Sequence, residues 1–210
     1  HKYEALIRYI TKDGVEIAPY NFINVAKKTK LYPNIIKIVI QDAFKLIKNK
    51  NKRVSVNISF DDIANEETTT FIYEILEQHK EYTKFLEFEI LESEEISDFN
   101  EVSRFISEIK KFDCIVGVDD FGAGYSNFNL LTLLDIDFVK IDGSLIEKIT
   151  TSKDLEIIVN TIANFSKEFK VKTVAEYVSN EDIYNKIKEL NIDYCQGYYF
   201  DRPLSYDNVK

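Results

Sequence analysis

The chain has 210 residues, 45% of them apolar and 30% charged, and carries a formal net charge of −9 at pH 7. That is the composition of one ordinary globular domain, long enough to bury a full core. The acidic balance argues against polymeric nucleic acid as a partner, and no stretch approaches the roughly 18 uncharged apolar residues of a membrane span.

In chain order, β-rich runs alternate with stretches of helical period. Strands are expected over residues 2–10, 53–58, 85–91, 115–119, 138–141, 171–175 and 192–195. Amphipathic helices are expected over 34–48, 68–79, 101–112, 155–169 and 182–190, where apolar residues recur every three to four positions. Such alternation gives an α/β architecture with a largely parallel sheet. Seven strands at this length suit a TIM-like (β/α)8 barrel better than an open sheet, and no Gly-rich dinucleotide fingerprint follows the first strand. KNKNKR (48–53) and ESEEIS (92–97) read as solvated charge runs, apart from Glu92. Cys114 and Cys195 sit in apolar runs without CxxC spacing and read as two buried thiols in a reducing, cytoplasmic compartment. His1 and His79 lie outside the apolar runs, which leaves neither a zinc site nor a Ser-His-Asp triad.

The ends of the expected strands carry the chemistry. Asn57 ends VSVN, Glu89 and Glu92 lie in LEFEILE, Asp119 and Asp120 end IVGVDD, Lys140 and Asp142 lie in FVKID, Glu176 ends KTVAE, and Gln196 ends DYCQ. The first strand carries Glu4 and Arg8. One such residue is usually a helix cap, but capping does not explain six strands sharing the feature. In a barrel all C-terminal strand ends open onto one face, where active sites are built. Carboxylates converging there repel one another unless cations lie between them, and a shell of Glu, Asp and Asn oxygens selects hard ions such as Mg²⁺ or Mn²⁺. With no histidine base, a metal-activated water attacking a phosphate ester is the reaction this set suits.

The blocks EALIR (4–8), VNIS (56–59), EILES (89–93), DDFGAGYSN (119–127), KID (140–142), VAE (174–176) and QGYYF (196–200) resemble the signature of EAL-domain cyclic-di-GMP phosphodiesterases, in the family's order and over essentially the whole chain. DFG also occurs in protein kinases, but no HRD block or Gly-rich phosphate loop accompanies it. The resemblance implies hydrolysis of cyclic di-GMP to linear pGpG with two Mg²⁺ or Mn²⁺ ions. It places Glu4, Asn57, Glu89 and Asp119 on one ion and Asp119, Asp120 and Glu176 on the other. Lys140 would position the attacking water or stabilise developing negative charge, Glu176 would also accept a proton, and Glu92 would anchor the DDFGAGYSN loop; these three form the implied catalytic set. Gln196, Arg8 and Leu6 would bind substrate, and Gly122 and Gly124 would let the loop after Asp120 turn. Implied partners are cyclic di-GMP, a second copy in a homodimer, and sensor or GGDEF-type domains of a longer parent chain.

The departures from the family pattern define the alternatives. AEYVS (175–179) replaces the usual AEGVE, so Tyr177 stands for a small residue and Ser179 for a carboxylate; AKKTK (26–30) reads as surface drift. The family's strand before the EAL block is not in this sequence, so strand 2–10 is expected to lack a neighbour on one side. A metal-free cyclic-di-GMP receptor and an interaction scaffold are the competing readings. Receptors of that kind lose ligand positions, and here only the flanking Ser179 departs.

Overall fold

Polar and apolar residues alternate strictly in two segments. Arg53, Ser55 and Asn57 interleave with Val54, Val56 and Ile58, and Glu87 and Glu89 interleave with Leu86, Phe88 and Ile90. A period of two normally marks a sheet with one face in water. The computed structural model, which describes residues 2–29, 32–91, 99–123 and 128–209, shows a different cause. Ser55, Glu87 and Glu89 are 0%, 4% and 0% exposed, because the sheet curls and its polar face becomes an interior lumen.

The elements run β1 (Lys2–Glu4), β2 (Tyr9–Ile10), β3 (Glu16–Ile17), α1 (Ile23–Lys27), α2 (Tyr32–Lys50), β4 (Arg53–Ile58), α3 (Phe60–Ala64), α4 (Glu66–Gln78) and β5 (Leu86–Leu91). They continue with α5 (Phe99–Lys110), β6 (Ile115–Phe121), α6 (Asn129–Leu133), β7 (Phe138–Ile141), α7 (Gly143–Ile146), α8 (Lys153–Glu168), β8 (Lys172–Ala175), α9 (Glu181–Glu189) and β9 (Tyr194–Cys195). Seven strands form one sheet in the order β1-β4-β5-β6-β7-β8-β9, parallel at every pairing. The two edges approach each other at the top, where Gln196 Nε2 donates to Glu4 Oε2 at 3.3 Å. Among the described residues β1 pairs only with β4 and β9 only with β8. The result is a TIM-like barrel with a seam where an eighth strand would close it, as the sequence leads one to expect.

The expected strand over 2–10 is a correction. The β1 ladder ends at Glu4, with one further bond from Ala5 N to Ser55 O at 2.8 Å. Arg8 then folds its guanidinium back onto Ile7 O at 2.9 Å. Tyr9–Ile10 turn away to pair antiparallel with Glu16–Ile17, through a turn in which Gly14 takes φ 79°. The thiol reading also needs amending, because Cys114 is buried and Cys195 only half-buried, both unbridged.

The outward strand faces and the helices make the core. Helix α2 buries Ile36, Ile40, Ala43, Phe44 and Ile47, and α5 buries Val102, Phe105, Ile106 and Ile109, each a stripe at helical spacing. Full burial of such a side chain contributes about 1.5–3 kcal/mol. Caps fix where the shorter helices begin: Ser59 and Asp62 form a reciprocal capping box on α3, and Asp142 caps α7 by accepting from Ser144 N at 2.9 Å. Among the described residues no helix is long and apolar enough to cross a membrane.

Inside the lumen, Gly117 of β6 lies against the ring of Phe138 on β7. A Cβ at Gly117 would fall 2.3 Å from Phe138 Cε2 and Cζ, and Lys2 Nζ sits 4.0 Å from the centre of that ring. Gly117→Ala should therefore destabilise the chain by about 1–3 kcal/mol through overpacking, read as a lower urea midpoint. Adding Phe138→Leu should restore most of the loss; an unchanged midpoint in the single variant would refute this close approach.

Candidate active site

The site forms because strand order and a register shift bring distant carboxylates to one end of the barrel. Between β6 and β7 the pairing jumps from Val118↔Val139 to Phe121↔Ile141. The extra residue leaves Asp119 and Asp120 in a bulge, a device that re-aims side chains. Asp120 takes a left-handed φ of 56°, and its N–H donates to Asp119 Oδ1 at 3.0 Å. Both carboxylates therefore address the mouth, Asp119 buried and Asp120 half-buried.

Lys140, on β7 and 1% exposed, sits at the centre. Its Nζ lies 2.9 Å from Asp119, 2.9 Å from Glu176, 3.1 Å from Glu89 and 3.2 Å from Glu4. Asn57 Nδ2 donates to Glu4 Oε1 at 2.9 Å, and Gln196 Nε2 donates to Glu176 Oε1 at 2.8 Å. Seven strand ends meet in one network. Burial alone would lower the pKa of Lys140, but the four carboxylates, Glu89 first, hold it well above the ordinary lysine value. Glu4 is also desolvated, yet the Lys140 charge and the Asn57, Lys140 and Gln196 hydrogen bonds hold it below its usual value. Asp119 and Glu176 go the other way. Burial outweighs Lys140, and neighbouring carboxylates add to it, so Asp119 rises to about 6 and Glu176 to about 7. Burial and the adjacent Asp142 raise Asp120. One ammonium cannot neutralise four carboxylates, so the site retains a deficit of positive charge.

Two overlapping groups of carboxylates could each hold a cation. Ligand oxygens of Glu4, Glu89 and Asp119 lie within 4.8 Å of one another, as do those of Asp119, Asp120 and Glu176. Two buried oxygens of the cluster, Asn57 Oδ1 and Glu89 Oε2, have no hydrogen-bond donor among the described residues, although Glu89 Oε2 makes the ion contact with Lys140. A hard divalent ion takes this kind of all-oxygen, acceptor-rich set, so the residues fit Mg²⁺ or Mn²⁺.

The remaining expected site residues are placed less uniformly. Leu6, 44% exposed, and Arg8 line a cavity of 3070 Å³ that also reaches Asp120, Glu176, Tyr177 and Gln196. Arg8 bonds to the carbonyls of Ile7 and Leu6, at 2.9 and 3.4 Å. Ser179 is exposed and accepts from Asn180 Nδ2 at 3.4 Å. Gly122 takes φ 97°; Glu92 and Gly124 fall outside the described residues. Sequence reasoning missed Lys2 and Glu87 below the cluster, although their period-two spacing to Glu4 and Glu89 put them on the same face.

Residues 1–203 match the EAL domain family. The chain belongs to the EAL domain family. It is 29% identical over 205 residues to the cyclic di-GMP phosphodiesterase PdeB of Shewanella oneidensis, covering 95% of this chain and 24% of that protein. It is 30% identical over 207 residues to the cyclic di-GMP phosphodiesterase PdeA of Borreliella burgdorferi, covering 96% of this chain and 31% of that protein. The chain thus spans about a quarter to a third of the length of these curated relatives. A crystal structure of an EAL domain protein from Listeria monocytogenes superposes with a TM-score of 0.89 at 31% identity, covering 97% of this chain and 82% of that one.

At one rim position this EAL domain carries backbone strain. Tyr177 follows Glu176 with a left-handed φ of 52°, a region costing a non-glycine residue about 1–2 kcal/mol. Its ring packs on Gly143, where a Cβ would lie 2.2 Å from Tyr177 Cδ2, yet it stays 70% exposed. Tyr177→Gly should therefore keep the wild-type melting temperature despite losing an aromatic ring. Tyr177→Val, β-branched at the same φ, should lower it; the reverse ranking would show that the backbone conformation is not the constraint.

Proposed function

We propose that this EAL domain hydrolyses cyclic di-GMP to linear pGpG with two divalent cations, Mg²⁺ or Mn²⁺. The observation that carries the reading is the pair of carboxylate groups sharing Asp119 around a buried Lys140. The relatives named cyclic di-GMP phosphodiesterases support the substrate. Glu4, Asn57, Glu89 and Asp119 would hold one ion, and Asp119, Asp120 and Glu176 the other. Bound there, the cations would supply Lewis-acid neutralisation of the phosphate and a more acidic water.

The chain's own groups divide the remaining work. A water oxygen bonds to phosphorus while the bond from phosphorus to one ribose 3′ oxygen breaks, leaving a 5′-phosphate and a 3′-hydroxyl. Glu176, held in place by the Gln196 amide, takes a proton from that water. Solvent returns a proton to the departing 3′ oxygen. Lys140 keeps its proton and, already fixed among its partners, stabilises negative charge with little reorganisation. Gln196 orients Glu176 through the bond it donates. Leu6 offers an apolar surface at the rim. Arg8 exchanges its carbonyl bonds for a phosphate or a guanine edge, and Glu92 supports the loop after Asp120. We further propose that the domain works in the cytoplasm as a module of a longer signalling protein, alongside sensor or GGDEF-type domains, and as a homodimer.

Asp119→Asn removes the carboxylate common to both groups. It should lower the turnover of cyclic di-GMP with Mn²⁺ by at least 100-fold, with circular dichroism unchanged, and EDTA should abolish wild-type turnover. Hydrolysis that survives either change would exclude the proposed mechanism. Tight nucleotide binding without hydrolysis at any Mn²⁺ concentration would establish the receptor reading instead.

A further inference from the structure

Below the cluster the lumen holds a second set of charges that the reaction does not use. Lys2 of β1 points into the lumen on the same face as Glu4. Its Nζ lies 2.7 Å from Glu87 Oε2, 3.2 Å from Glu89 Oε1 and 4.0 Å from the Phe138 ring centre. Arg53 Nη1 holds the other Glu87 oxygen at 3.3 Å. The charges therefore alternate along the lumen as Arg53, Glu87, Lys2, Glu89, Lys140. Barrel lumens are ordinarily filled by branched apolar side chains, so this column needs its own account.

We infer that Lys2 is a positioning residue that fixes the Glu89 carboxylate for a cation. Glu89 is fully buried and is held at both ends, with Oε1 on Lys2 and Oε2 facing Lys140. Occupying Oε1 from below leaves Oε2 as the oxygen presented to the cluster, so Glu89 binds an ion through one oxygen in a set direction. Neutralising Glu87 does not account for the Lys2–Glu89 contact, because Glu87 already has Arg53. Lys2 would thus act as an outer partner of a ligand, a role whose loss typically costs 10–100-fold in metal affinity. The inference rests on the proposed role of Glu89 as a ligand.

The test titrates Mn²⁺ alone, without nucleotide, into the chain and follows free and bound ion by electron paramagnetic resonance. Wild type, Glu89→Gln, Lys2→Met and Lys2→Met/Glu87→Gln are compared, and thermal melts in EDTA report folding. The double variant removes both members of the lower pair, so it keeps the lumen balanced should Lys2→Met alone unfold. The expected result is Mn²⁺ affinity at least tenfold weaker in the Lys2 variants, with an altered bound-ion spectrum. The double variant should melt within a few degrees of wild type. Wild-type affinity and spectrum in the double variant, with binding lost in Glu89→Gln, would overturn the role of Lys2 and leave the ligand assignment standing. A wild-type chain that binds no Mn²⁺ would overturn both.

Discussion

One buried ammonium among four carboxylates is the constraint on which the rest of the structure depends. Lys140 is 1% exposed, and no neutral arrangement of Glu4, Glu89, Asp119 and Glu176 around it is available without protons or further cations. Desolvating so many charges costs several kcal/mol for each ion before pairing offsets it. The cluster therefore contributes little to stability, and stability comes from the opposite face of the sheet. There Val54, Val56, Ile58, Phe88 and Ile90 pack against the helices as an apolar shell. The same strands thus do two jobs, with one residue in two building a core and the other furnishing a charged lumen.

The split in pKa direction within the cluster follows from whether burial or the surrounding donors and ammonium prevail at each carboxylate. Glu4 receives bonds from Asn57, Gln196 and Lys140 and is held ionised. At Asp119 and Glu176 burial raises the pKa by more than Lys140 lowers it, and neighbouring carboxylates add to the rise.

Much of this was legible in the sequence, for a physical reason. Strand-terminal oxygen-bearing side chains recurring in Asn57, Glu89, Asp119 and Glu176 cannot be capping residues all at once, and parallel strands deliver them to a single face. The barrel and the convergence therefore followed from spacing. What the sequence concealed was register and local folding back. Nothing in IVGVDD announces the bulge that turns Asp119 and Asp120 to the same mouth. The run 2–10 carries the β-prone residues Tyr3, Ile7, Tyr9 and Ile10, yet its ladder ends early and Tyr9–Ile10 pair in a separate hairpin. Lys2 and Glu87 looked like ordinary strand residues, because an ion pair inside a barrel has no signature beyond a spacing of two from Glu4 and Glu89. Tyr177 showed only as a departure from the family pattern; its left-handed backbone, which explains why a small residue suits that position, needed coordinates.

The measurement closest to the central claim is anomalous diffraction from crystals of this chain soaked in Mn²⁺, collected near the manganese edge. Two peaks should appear with Asp119 contributing to both, one beside Glu4, Asn57 and Glu89 and the other beside Asp120 and Glu176. No peak at the cluster, with Lys140 still bound to all four carboxylates, would contradict the account.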